Sequence, residues 1–444
     1  MQPSDKINDY VKQVCSQIRW KRAHLQVGQE LRNHIIDQRD ALMHKGMSAT
    51  EATDVSIIET GDAILIGSQL DKTHRPKSQG LMLITSLLLF AIGMIVSLIE
   101  PIRGPENIIF YAILGIVLLV VTYFFDFSLL AKFPKTVYCV IVILSCVMLF
   151  FGPHGWRVLG IAPYSASYSA LLLPIAFSLF IFSMKNKGIK GIILFELACA
   201  VPAFVAMYTF PVVVYLFIFL SNIILLAMAI YKNWFKTKKC YGIGILATYI
   251  IAHLAGIIYL VFRYDSIMLR IESILNPAKY ADTTGYMAML ANQLLSNANL
   301  IGATPINNAD LFRALLKSDM VLVWIAISFG LLAVIATLCI VAFFIIKGVS
   351  LCIKQRSNLG QFVATAVMST FIIQVGIYLL FNLGIHSISP LSLPFISTGN
   401  MANLINFCLI GLMLSLFRSD GVLSDNYREK KSYVSSNGGE VNEI

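Results

Sequence analysis

The sequence predicts an all-α, polytopic membrane protein of about ten transmembrane helices, preceded by a small helical domain. Three observations predict it. Of the 444 residues, 57% are hydrophobic and 13% charged, whereas a soluble domain carries about 25% charged residues. The apolar residues gather into runs, most approaching the roughly 20 residues needed to cross about 30 Å of hydrocarbon. The Lys and Arg residues between those runs fall on alternate sides, as the rule for cytoplasmic loops requires. The net charge of +10 is therefore read as an orientation signal, and no nucleic-acid partner is expected.

Residues 1–78 read as a helical cytoplasmic domain. Ile7, Val11, Val14 and Ile18 recur at helical spacing. A second helix runs through Glu30, Leu31 and His34 to Leu42 and ends at Gly46; Ser48 and Glu51 then form the pattern of a capping box. "GDA..IG" follows (Gly61, Asp62, Ala63, Ile66, Gly67), and His74-Arg-Pro-Lys77 leads into the membrane. These short elements resemble the helical prefix domain found before some bacterial permeases and sensors. Scattered acids and bases on solvated faces suit regulation or docking rather than catalysis. With its first 78 residues polar, no N-terminal signal peptide is expected.

Ten apolar segments are expected near 81–99, 108–125, 136–151, 168–183, 189–207, 211–231, 241–262, 321–346, 361–383 and 401–417. The third and fourth are short. Pro202 and Pro211 bracket a tight turn between the fifth and sixth, and one long kinked segment there would make nine. Starting inside, the cytoplasmic loops carry Lys132, Lys135, Lys185, Lys187, Lys190, Lys232, Lys236, Lys238, Lys239, Lys347, Lys354 and Arg356. The short opposite loops carry Arg103 and Arg157. Both termini are thus expected inside, with the long loop 263–320 and the loop 384–400 outside. The tail, 419–444, is too poor in apolar residues to fold alone and is expected to be disordered.

The long loop draws attention. It carries five basic and five acidic residues, and its last acid, Asp319, adjoins the next apolar run, Val321–Ile346. A carboxylate at the lip of a membrane segment is costly to desolvate and is a functional candidate, although an interfacial residue marking a helix end has the same pattern. Glu196, inside the fifth span, is either a functional acid or a carboxyl bonded to a neighbouring helix. His253, inside the seventh, reads best as a helix-packing polar residue. No phosphate-binding loop, dinucleotide fingerprint, nucleophile elbow or metal-ligand spacing is present. The eight cysteines form no C-x-x-C pair and suggest neither disulfides nor zinc. No cofactor is expected, with room left for a divalent cation.

Three outward features stand together. Gly152–Gly160 contains Trp156, suited to the interface, and Arg157, suited to an anionic headgroup or phosphate. The long loop contains Arg270, Pro277, Gly285, Tyr286, Gln293 and Asp319. Ser389–Gly399 mixes apolar residues with Pro, Ser and Gly, so irregular backbone folded back into the protein is expected there; such backbone is tolerated only where protein or a cavity covers it.

At these residues the chain resembles the SEDS family, the FtsW, RodA and SpoVE proteins of bacterial elongation, division and sporulation. Leu393, Pro394, Phe395, Ile396 and Ser397 are similar to that family's "PLPFiS" run, flanked by Asn382, Gly384, Asn403 and Gly411. Trp156 to Gly160 looks like its "rWi.lG" element. Arg270, Pro277, Tyr286 and Gln293 are similar to its "R…P…GYQ..qs" loop, and Asp319 falls where the family has its catalytic aspartate. The resemblance implies ten spans with a large outer loop between the seventh and eighth. It implies peptidoglycan glycan polymerisation from an undecaprenyl-diphosphate-linked disaccharide-pentapeptide in the bacterial plasma membrane. A single-pass class B penicillin-binding transpeptidase and membrane lipids are the implied partners. Asp319 is the implied base, and Arg270, Arg157, Trp156, Tyr286, Gln293, Pro394 and Ser397 the implied substrate-binding set. There are departures. The family's "QPSE..K" reads Ser165-Ala-Ser-Tyr168 followed by Leu171, losing the acid and the lysine. Its "QPD.GT" has no aspartate here. A non-catalytic lipid-binding scaffold, and more distantly a transporter, are the alternative readings.

Overall fold

The computed structural model describes residues 3–73, 79–99, 105–151, 167–208, 212–283, 285–305, 311, 314–315, 319–383, 391–397 and 400–418. It divides into two compact units, one centred on Met1–Ser78 and one on Gln79–Gln355 with Leu359–Leu416. Among the described residues it is helical, without strands.

The first unit holds α1 (Pro3–Ser16), α2 (His24–His44), α3 (Ala49–Thr60) and α4 (Ala63–Thr73). Ile7, Val11 and Val14 of α1 meet Ile35 of α2 and Ala63 of α4 in one apolar core. Ile18 lies beyond α1 and packs with Ala23 and Val27. The capping box is formed: the Ser48 hydroxyl accepts from the Glu51 N–H, and the Glu51 carboxylate accepts from the Ser48 N–H. The "GDA..IG" residues each have a physical task. Gly61 takes φ +104° to end α3, a conformation that disfavours side chains. Asp62 caps α4 by accepting from the N–H groups of Ile64 and Leu65. A Cβ on Gly67 would sit 2.7 Å from the Val14 carbonyl oxygen, so glycine lets α4 cross α1 closely.

The second unit begins with α5 (Gly80–Ile99), α6 (Pro105–Phe124), a short α7 (Ser128–Lys132) and α8 (Pro134–Phe151). A 3₁₀ turn, Ser167–Leu172, leads into α9 (Leu173–Ser183). Then come α10 (Gly188–Tyr208), α11 (Val212–Tyr231) and α12 (Lys239–Arg263). The loop helices α13 (Asp265–Leu275) and α14 (Tyr286–Ser296) follow. The remainder is α15 (Val321–Phe329), α16 (Leu331–Lys354), α17 (Asn358–Asn382) and α18 (Asn400–Arg418). Among the described residues nine helices are long and apolar enough to cross a membrane, and Tyr168–Ser183 forms a tenth, shorter apolar helix. The chain is a multi-pass helical membrane protein.

One expected boundary is corrected, and one turn residue. The fifth span ends at Tyr208, as expected near 207, but Pro202 lies inside α10 and does not bracket the turn; helix-interior proline is tolerated where neighbouring helices cover the freed carbonyl. The eighth span starts at Leu331, not near 321, because Gly330 breaks the run with φ +95°. The segment 299–304 answers the backbone groups freed by this break. Gly302 and Thr304 N–H donate to the Phe329 and Ile327 carbonyls, and Leu331 and Leu332 N–H donate to the Asn299 and Leu300 carbonyls. These bonds answer much of the penalty for open helix ends.

Burial separates inner from outer helices. Their most apolar windows are 67% buried in α11, 67% in α17 and 72% in α18, against 17% in α6 and 6% in α12. Gln374 and Asn406, both fully buried, join α17 to α18 through side-chain amide hydrogen bonds of 3.2 and 3.4 Å. In an apolar surrounding such pairs are the glue between helices. Glycines allow close approach: Gly411 of α18 lies against the Leu119 carbonyl of α6, and Gly93 of α5 against the backbone of the Leu393–Ser397 turn. A Cβ on Gly93 would lie 2.5 Å from the Phe395 oxygen and 2.7 Å from that of Ile396, and the backbone must then move. Gly93→Ala is expected to destabilise the unit by about 1–3 kcal/mol, as overpacking does, and to lower the melting temperature in detergent. Gly376→Ala, where no atom lies within 4 Å, is expected to leave melting unchanged; equal melting of both would refute this role for Gly93.

Candidate functional site

The segment Leu391–Ser397 is fully buried irregular backbone between α17 and α18. Its polar groups are answered internally. Ser397 Oγ accepts from the Leu393 N–H at 2.7 Å, the Ile396 and Ser397 N–H groups donate to the Leu393 carbonyl, and Asn403 Nδ2 donates to the Ser397 carbonyl at 2.8 Å. Phe395 takes φ +67°, a region costly for an aromatic residue. It is held there by rings of Phe344, Phe371 and Phe407 at 6.0, 5.8 and 5.4 Å. The apolar residues of the turn thus anchor it, and its serines carry the polar chemistry.

Asp319 stands two residues before α15 and outside the spans. Its φ is +60°, a left-handed conformation that persists only where surroundings over-determine it. Those surroundings are visible. Met320 N–H donates to the Leu315 carbonyl at 2.8 Å, and Val321 N–H donates to the Tyr378 hydroxyl of α17 at 3.0 Å. Met320, Val323 and Ile327 pack with Ala291 and Leu294 of α14 and with Phe381. The carboxyl is partly exposed as a residue, yet its Oδ1 is covered and has no hydrogen-bond partner among the described residues. Desolvation pushes its pKa from the usual carboxylate range up to about 6, opposed by a hydrogen bond from Ser397. Tyr168, in the turn before α9, and Tyr378 of α17 lie within the electrostatic reach of the carboxyl.

The expected residues divide into groups. Asp319 and Ser397, 78 positions apart by their numbers, come together, and Pro394 lies in the same buried turn. Tyr286 and Gln293 lie on the exposed side of α14, while Ala288, Ala291 and Leu294 form its buried side. Arg270 is on α13, its side chain not among those described; Trp156 and Arg157 lie outside the described residues. Tyr168, Tyr378 and Ser392 were not singled out as site residues in the sequence. Tyr378 carries no signal there, being one aromatic in an apolar run; Tyr168 stands out only as a departure from a motif. Glu196 of α10 accepts from Asn222 Nδ2 of α11 at 3.1 Å. His253 bonds its own helix at Tyr249 and stacks with Phe219, consistent with helix packing.

The carboxyl also sets a stability signature. Its folded pKa of about 6 exceeds the 3.8 expected when unfolded. Its contribution is therefore fully present below about pH 4 and is lost as pH rises through about 6. The melting temperature of wild type relative to Asp319→Asn is expected to fall between pH 4.5 and pH 7.5. A difference independent of pH would contradict the burial of this carboxyl.

Comparison with known proteins gives a consistent placement. The FtsW/RodA/SpoVE family, described as Cell cycle protein, matches residues 79–420. Peptidoglycan glycosyltransferase RodA of Mycobacterium tuberculosis is 23% identical over 159 residues, 36% of this chain and 34% of that protein. The probable peptidoglycan glycosyltransferase FtsW of Bacillus subtilis is 25% identical over 189 residues, 41% and 46% of the two chains. The matched region thus spans between a third and a half of these curated relatives. A solved chain from work on the structural coordination of polymerization and crosslinking by a peptidoglycan synthase complex has TM-score 0.61 at 16% identity. It covers 77% of this chain and 98% of that one. The rod shape determining protein RodA of Thermus thermophilus has TM-score 0.52 at 13% identity, covering 77% and 97%. The match over three quarters of its length establishes that the chain belongs to the FtsW/RodA/SpoVE family.

Proposed function

We propose that this chain polymerises glycan strands of the cell wall from a polyprenyl-diphosphate-linked disaccharide-pentapeptide, with Asp319 as general base. The observation that carries this reading is the carboxyl itself: partly accessible, strained in its backbone, and gripped by Ser397 from the buried turn. An acceptor sugar hydroxyl is a poor nucleophile. Asp319 takes its proton as the new glycosidic C–O bond forms and the bond from the anomeric carbon to the diphosphate oxygen breaks. A base with a pKa near the working pH is suited to this task, and such bases contribute about 10²–10⁴-fold. The leaving diphosphate gathers negative charge, for which guanidinium groups are the natural partners; Arg270 and Arg157 are assigned that role. Family membership and the names of the relatives support the substrate class. The synthase complex among the structural neighbours supports pairing with a single-pass penicillin-binding transpeptidase.

This chemistry fits a bacterial plasma-membrane site facing outward, with both termini cytoplasmic. The twelve-to-two split of basic residues supports that orientation. In a cysteine-free background, cysteines at Lys238 and Ser432 are expected to resist an impermeant thiol reagent applied to intact cells. Cysteines at Asp282 and Ser389 are expected to react. Labelling at 432 but not at 282 would invert the topology.

For the chemistry, Asp319→Asn keeps the shape and removes the proton acceptor. Glycan synthesis from labelled lipid-linked precursor, read on a gel, is expected to fall at least about 10²-fold at unchanged protein level. Asp310→Asn, nine residues earlier, is expected to match wild type. Equal polymerisation by wild type and Asp319→Asn would defeat the mechanism. A wild type that binds the precursor but makes no glycan would instead identify a scaffold.

A further inference from the structure

The turn between α9 and α10 and the turn between α11 and α12 are built as one surface. Asn186 N–H donates to the Trp234 carbonyl at 3.0 Å, and Gly188 N–H donates to the Phe235 carbonyl at 2.8 Å. The two backbones therefore lie side by side, about 5 Å apart as paired chains do. Beneath them Trp234 and Phe235 are 6% and 1% exposed. Trp234 Nε1 donates to the Ile181 carbonyl of α9 at 3.0 Å, and its ring meets those of Phe182 and Phe362 at 5.5 and 5.2 Å. Asn186, Asn233 and Lys236 take φ of +61°, +51° and +51°, and such residues persist only where their surroundings fix them. Neither turn is a loose connection.

The open side of this surface is cationic. Lys185, Lys190, Lys236, Lys238 and Lys239 are all exposed, and none of the five is ion-paired among the described residues. From Phe127 to Tyr264 the sequence holds a single acid, Glu196. That acid lies about 12 Å along α10 by its position and is engaged by Asn222. Orientation in a membrane requires only that basic residues collect on one side. It does not require them to be fixed against one another, where like charges repel. A locked cluster of ammonium groups without carboxylates calls for an anion from outside the chain.

The depth of the cluster says which anion. Three spans end here: α10 starts at Gly188, α11 ends at Tyr231 and α12 starts at Lys239. Tyr231 is 79% exposed, and Ile189, Tyr241 and Ile243 are exposed beside it. Such apolar and aromatic side chains at span ends meet acyl chains and the interface, and lysines one step beyond stand at the level of lipid phosphates. Two of the ammonium groups are held at that rim by aromatic faces. Lys185 Nζ lies 5.6 Å from the Trp234 ring centre, and Lys239 Nζ lies 5.5 Å from that of Tyr231.

We infer that the paired turns bind a two-phosphate anionic phospholipid of the leaflet they face, one phosphate beside Lys185 and the other beside Lys236–Lys239. Two phosphates joined in one headgroup match two lysine groups on two turns, because the second contact is then intramolecular. The inference does not depend on Asp319 or on glycan chemistry.

The test titrates the purified full chain in detergent with diphosphatidylglycerol and counts bound lipid by native mass spectrometry. The triple variant Lys185→Gln, Lys236→Gln, Lys238→Gln is expected to bind at least about tenfold more weakly, since each lysine near an anionic headgroup is a factor of about five. The same three positions changed to Arg are expected to bind as wild type. Lys132→Gln, Lys135→Gln, Lys354→Gln removes equal charge elsewhere and is expected to change binding less than about twofold. Phosphatidylglycerol, with one phosphate, is expected to bind wild type about tenfold more weakly than the two-phosphate lipid. Inorganic phosphate in excess is expected not to displace the lipid. Equal weakening by the two Gln triples, or none by the first, overturns the inference, as does equal affinity for the two lipids. Displacement by inorganic phosphate would assign the surface to a free anion instead. A poly-glutamate peptide that binds with the same lysine dependence, while the lipid shows none, would assign it to an acidic protein segment and likewise overturn the inference.

Discussion

Every backbone N–H and C=O at membrane depth must find a partner inside the protein, and this constraint governs where the chain departs from helix. Lipid offers no hydrogen bonds, and an unanswered group costs several kcal/mol. The described part of the membrane unit interrupts its regular helices at two telling places. At Gly330 the interruption is answered by 299–304. At Leu391–Ser397 it is answered by the turn's own carbonyl of Leu393, by the Ser397 hydroxyl and by Asn403. Both departures serve the same spot. The break at Gly330 separates the nine-residue α15 from the span that follows, and Asp319 heads α15. The buried turn delivers Ser397 to that carboxyl. The break leaves Asp319 at the head of a short element whose residues Val321–Ile327 are buried.

The strain in this arrangement is carried by packing. Asp319 and Phe395 both have positive φ, a conformation that non-glycine residues adopt at a cost of order 1–3 kcal/mol each. Around Phe395 an aromatic cluster from α16, α17 and α18 supplies the offset; around Asp319 it is the Tyr378 hydrogen bond and the Met320–Ile327 face against α14. The same elements explain the electrostatics. Close packing strips water from one carboxylate oxygen, and the serine hydroxyl limits how far the proton affinity rises. Packing and proton affinity are thus two readings of one geometry.

Much of this was legible in the sequence. The apolar runs and the Lys/Arg rhythm give the helices, and Ser48 with Glu51 gives a helix start that the structure forms atom by atom. Asp319 and Ser397 were both visible, one as an acid against an apolar run and the other in a Pro/Ser-rich segment between spans. The eighth span's start was misplaced because Val321–Phe329 and the first two-thirds of Leu331–Lys354 form one uncharged apolar run. Only the conformation of Gly330 divides them, and a lone glycine inside a long apolar run carries no sign of its φ. Tyr378 could not be read as the group that holds the head of α15, because a single tyrosine in an apolar run carries no signal of its own. Its role depends on a hydrogen bond to the Val321 N–H spanning 57 positions, which no local pattern encodes.

A base for sugar chemistry at a membrane must satisfy two opposed demands. It must sit close enough to hydrocarbon that a lipid-linked donor reaches it with its polyprenyl tail still in lipid. Yet a carboxylate that close to hydrocarbon tends to keep its proton and cease to be a base. Lysine or arginine nearby would resolve the conflict by charge, at the expense of competing with the diphosphate for the same cation. Hydroxyl donors resolve it differently. Each favours the ionised form by a modest amount and adds no net charge. Ser397 does this from a turn that is itself locked by its neighbours, so the donor is pre-aimed and loses little freedom on engaging the carboxylate. A neutral residue stands at position 168, where the family pattern has an acid, so no second carboxylate comes from that position and the Ser397 hydroxyl is the donor that favours the ionised form of Asp319.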